Sequence, residues 1–166
     1  TLASIMRYNF HTLYGHFNHM RTYALNDEKA LLMASYPRGG RPPSPFPYFS
    51  EVMTGFEYAA ASQMLWAGLV DQGIEAIANI RRRYDGERRS PWDEAECGHH
   101  YARALASWAG YLFWTGFHYS AVTGTMTFAK SKKPVTWFWS TGHAWGTVQQ
   151  KKVKGGIEVT LQVIEG

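Results

Sequence analysis

The sequence predicts a mainly helical chain that ends in a short antiparallel β segment, α+β overall. Three observations predict this. Apolar residues recur at steps of three and four through long stretches before Gly116. After Gly116 the composition turns β-branched and aromatic, as in VTWFW at 135–139. Residues 157–164 (IEVTLQVI) alternate strictly, with Ile157, Val159, Leu161 and Val163 on one face. The expected organisation is a helical part over 1–116 and a β part over 117–166.

The elements follow in order. Leu2, Ile5, Met6, Phe10, Leu13 and Phe17 predict a buried helix over 2–17. DEKALLMA at 27–34 predicts a short helix capped by Asn26 or Asp27. From Pro37 to Pro47, five prolines and two glycines exclude a helix or a central strand, leaving an ordered loop that ends in Phe46, Tyr48 and Phe49. Residues 51–83 form the longest periodic segment, with Phe56, Ala60, Gln63, Ala67, Val70, Ile74, Ile77 and Arg81 as its stripe. Ala59–Ala61 and Gly68 give it a small-residue face, and Gly73 is a candidate break. A further helix over about 97–115 carries Tyr101, Leu105, Trp108 and Leu112, so 51–115 is expected to form an αα-hairpin. Strand-like residues around 122–128, then 135–139, 144–149 and 157–164 follow. Gly155-Gly156 marks a hairpin turn between the last two.

The chain has 166 residues, the size of one domain or slightly more. With 16% aromatic and 18% charged residues it is not a disordered tail. A single Cys excludes an internal disulfide framework and a Cys-rich zinc module. No stretch is long and apolar enough for a transmembrane helix. No signal-peptide pattern is present, and the expected location is the cytoplasm. The start at Thr1 leads to the expectation that the chain is a piece of something longer. The net charge of +4 is concentrated: without Arg81, Arg82, Arg83, Arg88 and Arg89 it would be −1. These arginines end a helix and flank the Asp85-Gly86 turn, where cations complement the helix dipole. No nucleic-acid reader motif accompanies them, so no nucleic-acid partner is expected.

The densest polar cluster is WDEAECGHHYAR at 92–103. On a helix starting near Cys97, Glu96, His100 and Arg103 share a stripe, with Glu94 in the preceding loop. A carboxylate beside a guanidinium fork, among aromatic residues, suits the directional hydroxyls and flat faces of a sugar. The same residues also suit an acidic helix start with one ion pair. Cys97, His99, His100 and His118 match no zinc signature, and His11, His16 and His19 spread around a helix. Cys97 is a conceivable nucleophile beside a histidine, though a free Cys is more often buried and inert. Glu51 and Thr54 stand at the start of the long helix, where side chains cap exposed N–H groups.

EVMTGFEY at 51–58 and RRRYDGERRSPWDEAECGHHYARALASW at 81–108 resemble the C-terminal catalytic region of the non-lysosomal glucosylceramidase (bile-acid β-glucosidase) family, glycoside hydrolase family 116. NDEKALLMASYPRGGRPPSPFPYFS, GFHYSAVTGTMTFA and FWSTGHAWGTV are similar to its bacterial members. The resemblance implies the last helical hairpins of an (α/α)6 barrel and a β tail. It implies that Glu94, Arg103 and Glu51 bind glucose hydroxyls, with Glu51 matched less closely. Met53 stands where some members carry Trp, and His99 where Asp, Asn or Ser is common. Retaining hydrolysis needs a nucleophile and an acid/base, and the resemblance puts both upstream. No catalytic residue is therefore assigned here, and the chain alone is expected to be inactive. The implied substrate is a β-glucoside or a glucosylceramide-like glycolipid, with no metal and no cofactor. The expected partner is the rest of a parent enzyme or a second copy, covering Phe56, Trp66, Trp108 and Trp114. A stand-alone carbohydrate-binding or structural protein is the alternative, and a metal- or thiol-dependent enzyme on Cys97 and the histidines is a third.

Overall fold

The computed structural model describes residues 1–12, 27–94, 98–99 and 103–166. Among them lie four α-helices and seven strands, the strands in three antiparallel sheets. About 33% of the described residues are helical and 25% are in strands. The expectation of a mainly helical chain closing an (α/α)6 barrel is thereby overturned: this is a mixed α+β protein with short helices. Two compact units make it up, Thr1–Phe113 and Trp114–Gly166.

In the first unit, helix α1 (Leu2–Asn9) stops well before the predicted end at 17. Strand β1 (Phe10–Thr12) follows and pairs antiparallel with β2 (Lys29–Leu31). Asn9 fixes the switch. Its side-chain amide donates to the Leu32 carbonyl at 2.9 Å, and its own carbonyl accepts the Leu32 N–H at 3.0 Å. The predicted helix over 27–34 is thus a strand. Ala30 and Leu32 pack with Val52, while Leu31 packs with Ala61 and Ala76. A strand buried on both faces is a continuous apolar run, which periodicity cannot tell from a buried helix.

Helices α2 (Thr54–Trp66) and α3 (Val70–Arg83) form a hairpin. The chain turns at Gly68 (φ 81°) rather than at Gly73. Gly73 lies inside α3 and brings it close to α2: a β-carbon there would come within 2.8 Å of the Leu65 side chain and 2.9 Å of the Ala61 carbonyl oxygen. The buried stripe is displaced from the predicted one. Tyr58, Ala61, Met64 and Leu65 are buried on α2, and Gly73, Ala76, Ile80 and Arg83 on α3. Phe56, Gln63 and Val70 are exposed instead. The last predicted helix is shorter than expected. Gly98 and His99 form a turn with positive φ, and a 3-10 turn (Arg103–Ala106) leads into α4 (Ser107–Thr115). No helix among the described residues is long and apolar enough to cross a membrane.

The second unit contains a hairpin of β3 (His118–Ser120) and β4 (Thr125–Thr127), and a meander of β5 (Val135–Ser140), β6 (Trp145–Val153) and β7 (Gly156–Glu165). Register puts Trp137 beside Val148 and Leu161, and Trp139 beside Gly146 and Val163. The alternating row of β7 therefore shares one face with the tryptophans of β5, as its sequence indicates. That face is covered at β5 and β6, where Trp139 and Val148 are buried. It is open at β7, where Val159, Leu161 and Val163 are half exposed or more.

Candidate functional site

The sequence-predicted residues gather at the N-terminal end of α2. Glu51, Val52 and Met53 lead into it, all buried. The Met33 N–H donates to the Glu51 carbonyl at 3.2 Å, which ties this approach to the segment after β2. Thr54, the first residue of α2, does not cap the helix. Its hydroxyl donates to Oε1 of Glu94. Glu94 is 3% exposed, and its backbone carbonyl accepts the His99 N–H at 3.2 Å. Arg103 lies on the next residue of α2: a β-carbon on Gly55 would sit 3.5 Å from its Cδ. Its guanidinium carbon stands 5.8 Å from the centre of the Phe56 ring, within cation–π range. Glu94 and Arg103 thus meet α2 at two consecutive residues, Thr54 and Gly55.

Burial perturbs several titratable groups of the first unit. Burial pushes the Glu57 carboxyl up to about 7, against the pull of Arg83 and the Leu31 N–H, and the Glu94 charge adds to the rise. Burial also raises Tyr58, and pushes Tyr84 up to about 12 with Glu94 as the next cause. Such perturbed groups concentrate at functional sites, though structural ion pairs produce them too.

One residue pair escaped the sequence reading. Glu57 and Arg83, 2% and 1% exposed, form an ion pair through Oε2 and Nη2. Glu57 Oε1 accepts the Leu31 N–H at 2.8 Å, and Arg83 Nη1 donates to the Lys29 carbonyl at 2.6 Å. The pair therefore ties both helices to β2. Arg83 had the appearance of a solvated helix end. The signal against that reading was its place on the stripe Gly73, Ala76, Ile80, Arg83, where it continues a buried face. Of the other arginines in the run, Arg89 bonds Glu28 at 2.7 Å, and Arg88 reaches Asp27 and Glu28, each at 3.3 Å.

Glu51 and Glu94 are covered by protein. Neither residue lines the two clefts described in the first unit. A carboxylate acceptor next to an Arg donor fork suits a pair of neighbouring hydroxyls. At this site Glu94 Oε1 is engaged by the Thr54 hydroxyl and buried with it. His99 Nδ1 stands 2.6 Å from Asp93 Oδ1, and His118 lies in β3. Cys97, Glu96 and His100, with His16 and His19, lie outside the described residues. No protein-family model matches the chain, and no curated protein matches it in sequence.

Proposed function

We propose that the chain supplies sugar-binding groups of a retaining β-glucosidase acting on β-glucosides or glycolipids. One observation carries the reading. The two segments whose sequences resemble that family, 51–58 and 81–108, meet at one point, with Thr54 on Glu94 and Gly55 against Arg103. In this reading the cover over Glu51 and Glu94 opens to the ligand, and these two residues with Arg103 hold hydroxyls so that the sugar is oriented for groups on another segment. The nucleophile and acid/base of double displacement are not among these three residues in this reading. The apolar residues expected to face a missing neighbour, Phe56, Trp66, Trp108 and Trp114, are all more than half exposed. Such exposure supports association with a parent segment or a second copy.

The test is titration of the purified chain with 1-deoxynojirimycin, a glucose-shaped cation, followed by calorimetry. Glu94→Gln and Arg103→Ala are each expected to weaken binding roughly 10- to 100-fold, the value of a hydrogen bond to a charged group. Equal affinity in wild type and both variants, or no binding at millimolar ligand, would sink the proposal. The chain alone is expected to leave 4-nitrophenyl β-glucoside intact. Hydrolysis that disappears in Glu94→Gln would show that a catalytic carboxyl had been misplaced.

A further inference from the structure

Away from that site, a cleft of about 330 Å3 opens between α1 and the Pro-rich loop, lined by Arg7, Tyr8, Leu32, Tyr36, Arg41 and Phe49 among others. Its size falls at the low end of small-molecule pockets. Arg7 stacks its guanidinium on Tyr8 at 5.1 Å, and Arg41 on Phe49 at 4.8 Å. Among the described residues, neither guanidinium has a carboxylate partner and no Asp or Glu lines the cleft. The chain could hardly supply one locally, because residues 1–26 and 33–50 contain no acidic residue at all. Two cations lining one cleft, with no carboxylate partner among the described residues, are a recognition arrangement for an anion.

The wall contains a second, independent peculiarity. Tyr36 has φ 49°, in the left-handed region, and Pro37 follows it. A bulky residue adopts that conformation at a cost, and a following proline disfavours it further. Glycine would satisfy the backbone there, so what tyrosine adds is its ring. The ring stands 6.2 Å from Phe49, centre to centre, tilted by 58°. Strain of this kind gathers at ligand clamps.

We infer that this cleft binds a phosphate monoester carrying a planar ring, with Arg7 and Arg41 on the phosphate and Tyr36 and Phe49 against the ring. A phosphomonoester carries nearly two negative charges near neutral pH and so matches both guanidiniums, where one carboxylate would match one. The inference is independent of the sugar site, because none of these residues belongs to it.

Calorimetric titration with adenosine 5′-monophosphate tests it, with adenosine and inorganic phosphate as separate arms. The monophosphate is expected to bind at least tenfold more tightly than either part. Arg7→Gln and Arg41→Gln should each weaken it about tenfold or more. Both arginines are exposed, so both variants should melt with the wild type. Tyr36→Gly should weaken the monophosphate and leave inorganic phosphate unchanged. The inference is overturned if the monophosphate does not bind at millimolar concentration. It is equally overturned if inorganic phosphate binds as tightly, or if the double Arg7→Gln, Arg41→Gln variant keeps wild-type affinity.

Discussion

Replacing Arg83 with alanine is expected to lower folding stability by about 3–5 kcal/mol, the usual effect of removing one partner of a buried ion pair. Three losses combine. The Glu57 carboxyl loses its guanidinium, the Lys29 carbonyl loses its donor, and a buried side chain leaves a void between α3 and β2. A domain has only about 5–15 kcal/mol in total, so the melting temperature should fall by roughly 10 °C or more. Arg83→Lys keeps the charge but cannot reach Glu57 and Lys29 with two separate nitrogens, and should fall between the two. Chemical denaturation of the three proteins measures the effect. Wild-type stability in Arg83→Ala would mean that the pair does not hold α2 and α3 to β2.

The same pair sets a pH dependence. The Glu57 carboxyl titrates near 4.5 in an unfolded chain and is pushed up to about 7 in the folded one, because burial outweighs the attraction of Arg83. Between those values the folded state binds more protons than the unfolded state. The contribution is therefore complete below about 4.5 and is lost as pH rises through about 7. The melting temperature is expected to fall by several degrees from pH 5 to pH 8, and Glu57→Gln, which cannot titrate, should flatten that fall. A slope unchanged in Glu57→Gln would assign it to other groups.

Gly146→Ala is the other substitution with a large expected effect, about 3 kcal/mol or more against the second unit. Gly146 sits at the register shift between Trp145 and Gly146, where β6 meets β7. A β-carbon there would lie 1.9 Å from the Gln162 carbonyl oxygen and 3.0 Å from the Trp139 ring. Backbone cannot yield as a flexible side chain would, so the strand must move or the bulge must be lost. Gly156→Ala is the control, since nothing lies within 4 Å of its added carbon. Loss of near-ultraviolet tryptophan dichroism in the first variant and its retention in the second is the expected pattern. A Gly146→Ala protein with native dichroism and melting would show that β6 and β7 accommodate the carbon.

The β part was the most legible. Strict alternation over 157–164 and the Gly155-Gly156 turn determine β7 and its hairpin with β6. Local signals suffice there because each strand pairs with its neighbour in sequence. The Pro-rich loop was equally plain, since proline excludes regular structure wherever it stands. The N-terminal segments were misread. Phe10–Thr12 and Lys29–Leu31 pair although residues 13–28 separate them in sequence, so neither strand announces its partner locally. A helical spacing in one and a continuous apolar run in the other were the only cues; the first favours a helix and the second fits a helix and a buried strand alike.

The candidate site divides along the same line. Glu94, Arg103 and Glu51 were identifiable as residue types in resembling segments, but nothing local indicated that Thr54 would bond Glu94 instead of capping its own helix. By itself, the sequence determined the loop, the meander and the existence of the long helical segment, all of which depend on propensity and on neighbours along the chain. Tertiary structure alone decided that Arg83 is buried on Glu57, that Lys29–Leu31 is a strand, and that two distant segments meet on Thr54 and Gly55. Those outcomes depend on which surfaces are removed from water together. A buried charge is tolerated only where a partner from another element arrives to meet it.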